Sequence, residues 1–191
     1  MTVCLDEMGP ESAKSIPGRR LIVSDPPGER ATQEADSGRR GTGYVFGAFP
    51  PATGAACTAP YPGRTIVHWV DFLEEVEGGI GRDVERVYAI LDNLSTHRAA
   101  DVLLWSLTHP HWEFGFQPPY AAYLNLIEPW WTVLRSLAIK GRRFDTWEEI
   151  CTAVKRATAY WNDHRHPFVW GRRRRHRPTR RSGIACLPAI P

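Results

Sequence analysis

Apolar positions change their spacing several times along the chain, and each change marks an element. Thr2–Asp6 (TVCLD) is a short β-prone run that ends in an acid. Residues 9–41 are loop-like, rich in Gly, Pro, Ser and charge, with Leu21–Val23 as a short strand. Gly43–Phe49 and Ala55–Ala59 flank Pro50–Gly54, which reads as a hairpin turn. Over 65–77 the period lengthens: Ile66, Trp69, Val70 and Leu73 recur at helical spacing, and Gly78-Gly79 stops that helix. Val84–Leu91 reads as a buried strand running directly into Asp92, and Trp112–Phe116 as a short strand. Between them Ser95 or Thr96 can cap a helix over 97–108. Leu124, Ile127, Trp131, Leu134 and Ala138 then keep a 3-4-3-4 rhythm, an amphipathic helix ended near Gly141. Thr146 opens another helix, with Ile150, Val154, Ala157 and Trp161 on one face. Past Pro167 the rhythm fails.

The order is strand, hairpin, helix, strand, helix, strand, helix, helix. It implies an α/β fold, a mixed sheet with helices on both faces. The first strand and the strand at 84–91 each end in an acid. If they lie parallel and adjacent, Asp6 and Asp92 meet at one sheet edge, where such folds place their sites.

Composition narrows the classes. The chain has 191 residues, room for one ordinary domain and a tail, and 42% hydrophobic residues argue against wholesale disorder. No apolar run reaches the roughly 18 residues of a membrane helix, and MTVCLDEMGP is not an export signal. A soluble, cytoplasmic protein without a membrane partner is expected. Cys4, Cys57, Cys151 and Cys186 have no paired spacing, so neither disulfides nor zinc are indicated.

Charge changes the picture more. Residues 1–128 carry 10 basic and 17 acidic side chains, net −7; residues 129–191 carry 14 and 4, net +10. Such asymmetry points to a polyanion met by the C-terminal third. Of the 24 basic residues 21 are Arg, which suits phosphate contacts and equally suits a GC-rich genome.

Three acids carry the candidate chemistry. Taken singly, Asp6 and Asp92 also read as turn formers, and Asn125-x-x-Glu128 has the spacing of a capping box. Taken together, two strand-end aspartates and a helix-borne glutamate form an all-oxygen set. That set selects Mg²⁺ or Mn²⁺ over zinc, and two such ions serve phosphodiester displacement.

Four segments are distinctive: CLDEMGP at 4–10, AILDNLSTH at 89–97, FQPPYAAYLNLIEPWW at 116–131 and YWNDHRHPFVWG at 160–171. In this order, over roughly residues 3–171, they resemble the DDE transposases of mariner-like bacterial insertion sequences. The LDN-x-x-x-H and P-x-Y…LN-x-IE-x-W patterns are specific, and 35 residues separate Asp92 from Glu128, about the separation of that superfamily. The resemblance implies an RNase H-like fold, a mixed five-stranded sheet with helices on both faces, over residues 1–165. It implies Asp6, Asp92 and Glu128 as the catalytic triad and as ligands of Mg²⁺ or Mn²⁺, two ions in all. The implied activity is strand cleavage at transposon ends, then attack of the freed 3′-hydroxyl on target DNA. Double-stranded DNA is the implied partner, and a homodimer is left open.

That family usually carries helix-turn-helix units ahead of its catalytic domain; here the first Asp is residue 6, so that region is expected to be absent. Residues 166–191 are expected to form a basic, disordered tail. If Asn125 is the cap, Pro129 falls where a helical N–H is first required, which predicts a shifted or strained helix start.

Neighbouring residues are open between two roles. His97 matches the family's histidine and suits a DNA contact, or is a surface residue at a helix start. Asn93 orients Asp92 or simply turns the chain. Trp131 fits the apolar stripe, leaving Trp130 to stack on DNA or pack on another element. Tyr120 and Tyr123 precede the catalytic helix and could touch DNA. Arg142, Arg143, Arg172, Arg173, Arg174 and Arg175 are phosphate contacts if DNA binds, or merely solvated charge. The leading reading is a transposase catalytic domain. The alternative is an inactive, truncated remnant that binds DNA non-specifically. A free-standing RNase H-like nuclease is disfavoured by LNLIEPWW.

Overall fold

A computed structural model describes residues 1–13, 21–22, 32–33, 41–92, 94, 100–118 and 125–167. In chain order the elements are β1 (Thr2–Ser12), β2 (Leu21–Ile22), β3 (Thr32–Gln33), β4 (Thr42–Phe49), β5 (Cys57–Tyr61), α1 (Ile66–Gly78) and β6 (Val87–Leu91). There follow α2 (Ala100–Thr108), β7 (Trp112–Phe116), α3 (Glu128–Leu134) with a π-helical continuation over Arg135–Ile139, and α4 (Trp147–Asp163). Five strands make one mixed sheet in the order β5–β4–β1–β6–β7, while β2 and β3 form a separate two-residue pair. The expected five-stranded sheet is therefore present. β5, β4 and β1 run antiparallel; β1, β6 and β7 run parallel.

Side chains alternate between two cores, as the period of a strand requires. Val3 and Leu5 of β1 join Val87, Ala89 and Leu91 of β6 under α1 and α2. Cys4 and Met8 point the other way, into a core built with Ile127, Trp130, Trp131, Leu134, Ile150 and Val154. Helices thus cover both faces.

β1 is longer than the expected Thr2–Asp6 strand. Its pairing with β4 continues to Ser12↔Thr42, through an irregularity between Met8 and Glu11 that accommodates Gly9-Pro10. A strand partner overrides two local breakers, so Asp6 lies inside β1 and not at its end.

Helix ends follow local chemistry where a cap is available. Thr65 accepts the His68 N–H at 3.2 Å and opens α1; Thr146 accepts the Glu149 N–H at 3.3 Å and opens α4. The expected caps Ser95 and Thr96 lie outside the described residues. The YWN of the fourth distinctive segment is structural: Trp161 Nε1 donates to the Gly54 carbonyl at 2.8 Å. Asn162 both donates to and accepts from the Ala56 main chain, each at 2.8 Å. These bonds fasten the last turn of α4 to the β4–β5 connection.

Candidate active site

Parallel pairing sets the first two carboxylates. Cys4 pairs with Ile90 across β1 and β6. Carried two residues further along both strands, that register brings Asp6 level with Asp92. The pleat turns both toward the face that Cys4 and Ile90 share, the face covered by α3 and α4. Asp92 directly follows β6, and its Oδ1 accepts the Leu94 N–H at 2.9 Å, an Asx-type turn. On its other side the Gln117 N–H reaches the Leu91 carbonyl at 2.9 Å, so β7 holds the end of β6 in place.

Glu128 comes from α3, above the same face. The capping-box reading of Asn125-x-x-Glu128 is not what forms. Ile127 is the N-cap and makes no side-chain cap bond, and Glu128 is the first helical residue. Asn125 is buried instead, its Nδ2 donating to the Leu5 carbonyl at 3.1 Å, with its main-chain carbonyl accepting the Glu128 N–H at 3.1 Å. Because the helix starts two residues later than Asn125 would set it, Pro129 sits in the first turn, where no N–H is needed. The expected strain at Pro129 is absent for that reason. Glu128 is exposed and has no capping duty.

Gly47 explains how α3 comes so close. It lies opposite Asp6 in the β1–β4 ladder. A Cβ placed on it would meet Trp131 Cη2 at 2.2 Å and Ile127 Cδ1 at 3.0 Å. Trp131 therefore rests on bare backbone beside Asp6. Trp130 is buried as well, with Phe49 stacked at 6.2 Å between ring centroids and Trp161 at 5.1 Å. Of the two readings of Trp130, packing on another element is the one that forms, because α3 is covered on one side by the sheet and on another by α4. Trp130 packs and is not left to DNA.

Electrostatics tie the acids together. The Asp6 carboxyl is pushed up to about 7, chiefly by burial. The Glu7 N–H, donating to Oδ1 at 2.8 Å, opposes the rise, and the charges of Glu7, Glu128 and Asp92 add to it. Glu7 belongs to the opposite sheet face, where Arg64 Nη1 stands 3.2 Å from its Oε1. The donor set suits a hard divalent cation in kind: it is all oxygen, and its charges bear on one another. In position the acids are less gathered than expected, since among the described residues no three His, Cys, Asp or Glu side chains are drawn around one point.

Arg142 and Arg143 are exposed on the loop between Ile139 and α4, beyond the far end of α3. His97, Asn93, Tyr120, Tyr123 and Arg172–Arg175 lie outside the described residues. Sequence reasoning missed Gly47 and the strap from Asn125. Only the LN-x-IE pattern pointed at Asn125, and it suggested a cap. Among the described residues no helix is long and apolar enough to cross a membrane.

This geometry has counterparts. The fold is that of a crystal structure of the Mos1 mariner paired-end complex with Mn (TM-score 0.53, 18% identity, 85% of this chain and 52% of that one). A Mos1 transposase paired-end complex with left transposon end gives a TM-score of 0.56 at 17% identity, over 87% of this chain and 48% of that one. The catalytic core domain of BIV integrase gives 0.55 at 9% identity, over 86% and 85%. The chain thus spans about half the length of the Mos1 chains it matches. No curated protein sequence matches it. The architecture is the RNase H-like one of transposases and integrases. A sequence family, the DDE superfamily endonucleases, matches residues 1–151. With one aspartate inside β1, another just past the parallel strand β6 and a glutamate opening the helix above them, this chain belongs to the DDE superfamily endonucleases.

Proposed function

We propose that the chain is the catalytic domain of a transposase, which cuts DNA strands at transposon ends and joins the freed 3′-hydroxyl to target DNA. The observation that carries this reading is the parallel β1–β6 register, Cys4 with Ile90, which continued by two residues sets Asp6 beside Asp92, while Glu128 opens the helix over the same sheet face. Residues 1–165 are the catalytic unit, and 166–191 a basic tail. Asp6, Asp92 and Glu128 would hold Mg²⁺ or Mn²⁺, two ions in the family pattern. When bound, the ions supply activation of the attacking oxygen and stabilisation of the leaving one. The chain's own task is to keep three carboxylates at fixed spacing. Asp6 does so from β1, Asp92 from the turn that ends the paired strand β6, and Glu128 from a helix strapped to β1 by Asn125. Asp6 gives up its proton near neutral pH before it serves as a ligand. Double-stranded DNA is the partner, held by arginines of the C-terminal third and by His97.

Nicking of supercoiled plasmid with Mn²⁺ tests the reading. The wild type should nick, and Asp6→Ala, Asp92→Ala and Glu128→Ala should each remove nearly all activity, with double variants scarcely worse than singles. Nicking unchanged in Glu128→Ala would reduce Glu128 to a helix residue and end the triad reading.

A further inference from the structure

The loop that leads into α4 and the outer face of that helix enclose a groove of about 460 Å³. Arg142 and Arg143 line it from the loop. Thr152 and Arg156 line it from α4, four residues apart and so on one side of the helix. Two acids, Glu148 and Glu149, also border it. One of these is occupied: Glu149 Oε2 accepts the Asp145 N–H at 2.8 Å, as part of the helix cap. Arg143 Nε lies 3.6 Å from Asp145 Oδ1. Arg142 and Arg156 form no ion pair among the described residues. Two guanidinium groups thus border one concavity without an ion pair among the described residues; the Thr152 hydroxyl beside them is spent on the Glu148 carbonyl at 2.9 Å and leaves the donors to the arginines. That is the chemistry of a phosphodiester contact.

We infer that this groove is a seat for the DNA backbone, apart from the carboxylates, with Arg156 as a contact that the sequence did not suggest. The inference rests on the reading of the chain as a DNA-cutting domain and adds where the duplex lies on it. From Glu128 to Ile139 there are eleven helical steps, roughly 16 Å along α3 and its continuation. Phosphates of one strand recur about every 3.4 Å. A duplex that runs from the carboxylates along α3 covers that length in about five steps. The contact reads no base, so it adds affinity without sequence preference.

The test uses the full chain, a labelled duplex of mixed sequence, and fluorescence anisotropy over a series of salt concentrations. Arg142→Ala/Arg156→Ala should weaken binding tenfold or more at about 0.1 M salt, and should flatten the slope of log K on log salt by close to 2, at about 0.9 per phosphate. Arg82→Ala/Arg86→Ala removes the same charge elsewhere and should change the slope much less. The single variants Arg142→Ala and Arg156→Ala should each account for about half the effect, which keeps the test sound if the double variant folds poorly. Equal losses in the two double variants overturn the inference while leaving DNA binding in place. A wild type that fails to bind duplex even at about 50 mM salt overturns both the inference and the reading beneath it.

Discussion

The side-chain amide of Asn125 donates to the main-chain carbonyl of Leu5, the residue before Asp6, across 3.1 Å. One hydrogen bond thus links the entry of the helix that carries Glu128 to the strand that carries Asp6. The bond is buried, where a lost partner costs most. Asn125→Ala should destabilise the fold by about 1–3 kcal/mol in denaturant melts. It should also lower Mn²⁺-dependent nicking more than tenfold at a temperature where the variant is fully folded. Asn125→Asp, which keeps the shape and loses the donor, should not restore activity. Full activity in the folded Ala variant would mean that the strap does not set the carboxylate spacing.

Gly47 offers a second handle on the same spacing. A methyl group there would stand 2.2 Å from Trp131 Cη2 and 2.8 Å from Cζ2, so α3 must shift or the ring must leave its place. Overpacking of this kind costs about 1–3 kcal/mol. Gly47→Ala should lower the melting temperature and nicking together. A compensating Trp131→Phe in the same chain should recover part of both, and no recovery would show that the clash lies elsewhere.

The raised carboxyl of Asp6 predicts a pH dependence with a definite sign. Its pKa is about 7 in the fold against an ordinary value of 3.8. Between these values the unfolded chain releases a proton that the folded chain keeps, so Asp6's contribution to stability falls as pH rises from about 4 to 7 and is flat above. In EDTA, Asp6→Asn should remove this component and exceed the wild type in stability at pH 8 by roughly 2–4 kcal/mol. Chemical denaturation at pH 5 and pH 8 measures it; parallel profiles for the two proteins would refute it.

Divalent cations should act in the opposite direction to the proton. Thermal melts at pH 7.5 should show stabilisation of the wild type by Mn²⁺. Asp92→Asn should abolish that stabilisation, and Arg82→Ala should leave it intact. Equal shifts in wild type and Asp92→Asn would place the bound Mn²⁺ somewhere other than the carboxylates.

Away from the site, Glu77 holds α1 against β7. Its Oε2 accepts the Trp112 Nε1–H at 2.7 Å and lies 3.1 Å from His111 Nε2. Trp112 is buried. Glu77→Ala should cost about 1–3 kcal/mol of stability, because the indole N–H loses its acceptor. Glu77→Gln, which keeps an acceptor oxygen, should cost less. Nicking per folded molecule should be unchanged in both.

Much of the molecule was legible before any coordinates. The succession of strands and helices follows from the spacing of apolar residues, which is a local property: Trp112–Phe116 is a strand as read, and Thr146 caps its helix as read. The mixed sheet follows from that succession; the parallel pairing of β1 with β6, a condition that the sequence left open, is met by the β1–β6 register. Tertiary structure decided what depends on a partner. Asp6 lies inside β1 because β4 continues the pairing past Gly9-Pro10, and a strand's length is set by what it pairs with. Asn125 turned away from capping because the Leu5 carbonyl, 120 residues earlier, was within reach of its amide. That choice moved the start of α3 to Glu128 and freed both Glu128 and Pro129 from the conflict that local rules foresaw. Trp130 went into the core because a second helix covered a side that the stripe of Ile127, Trp131 and Leu134 left bare. Periodicity names the face a residue occupies; only the packed fold decides how many faces are covered and which main-chain groups lie within reach of a buried amide.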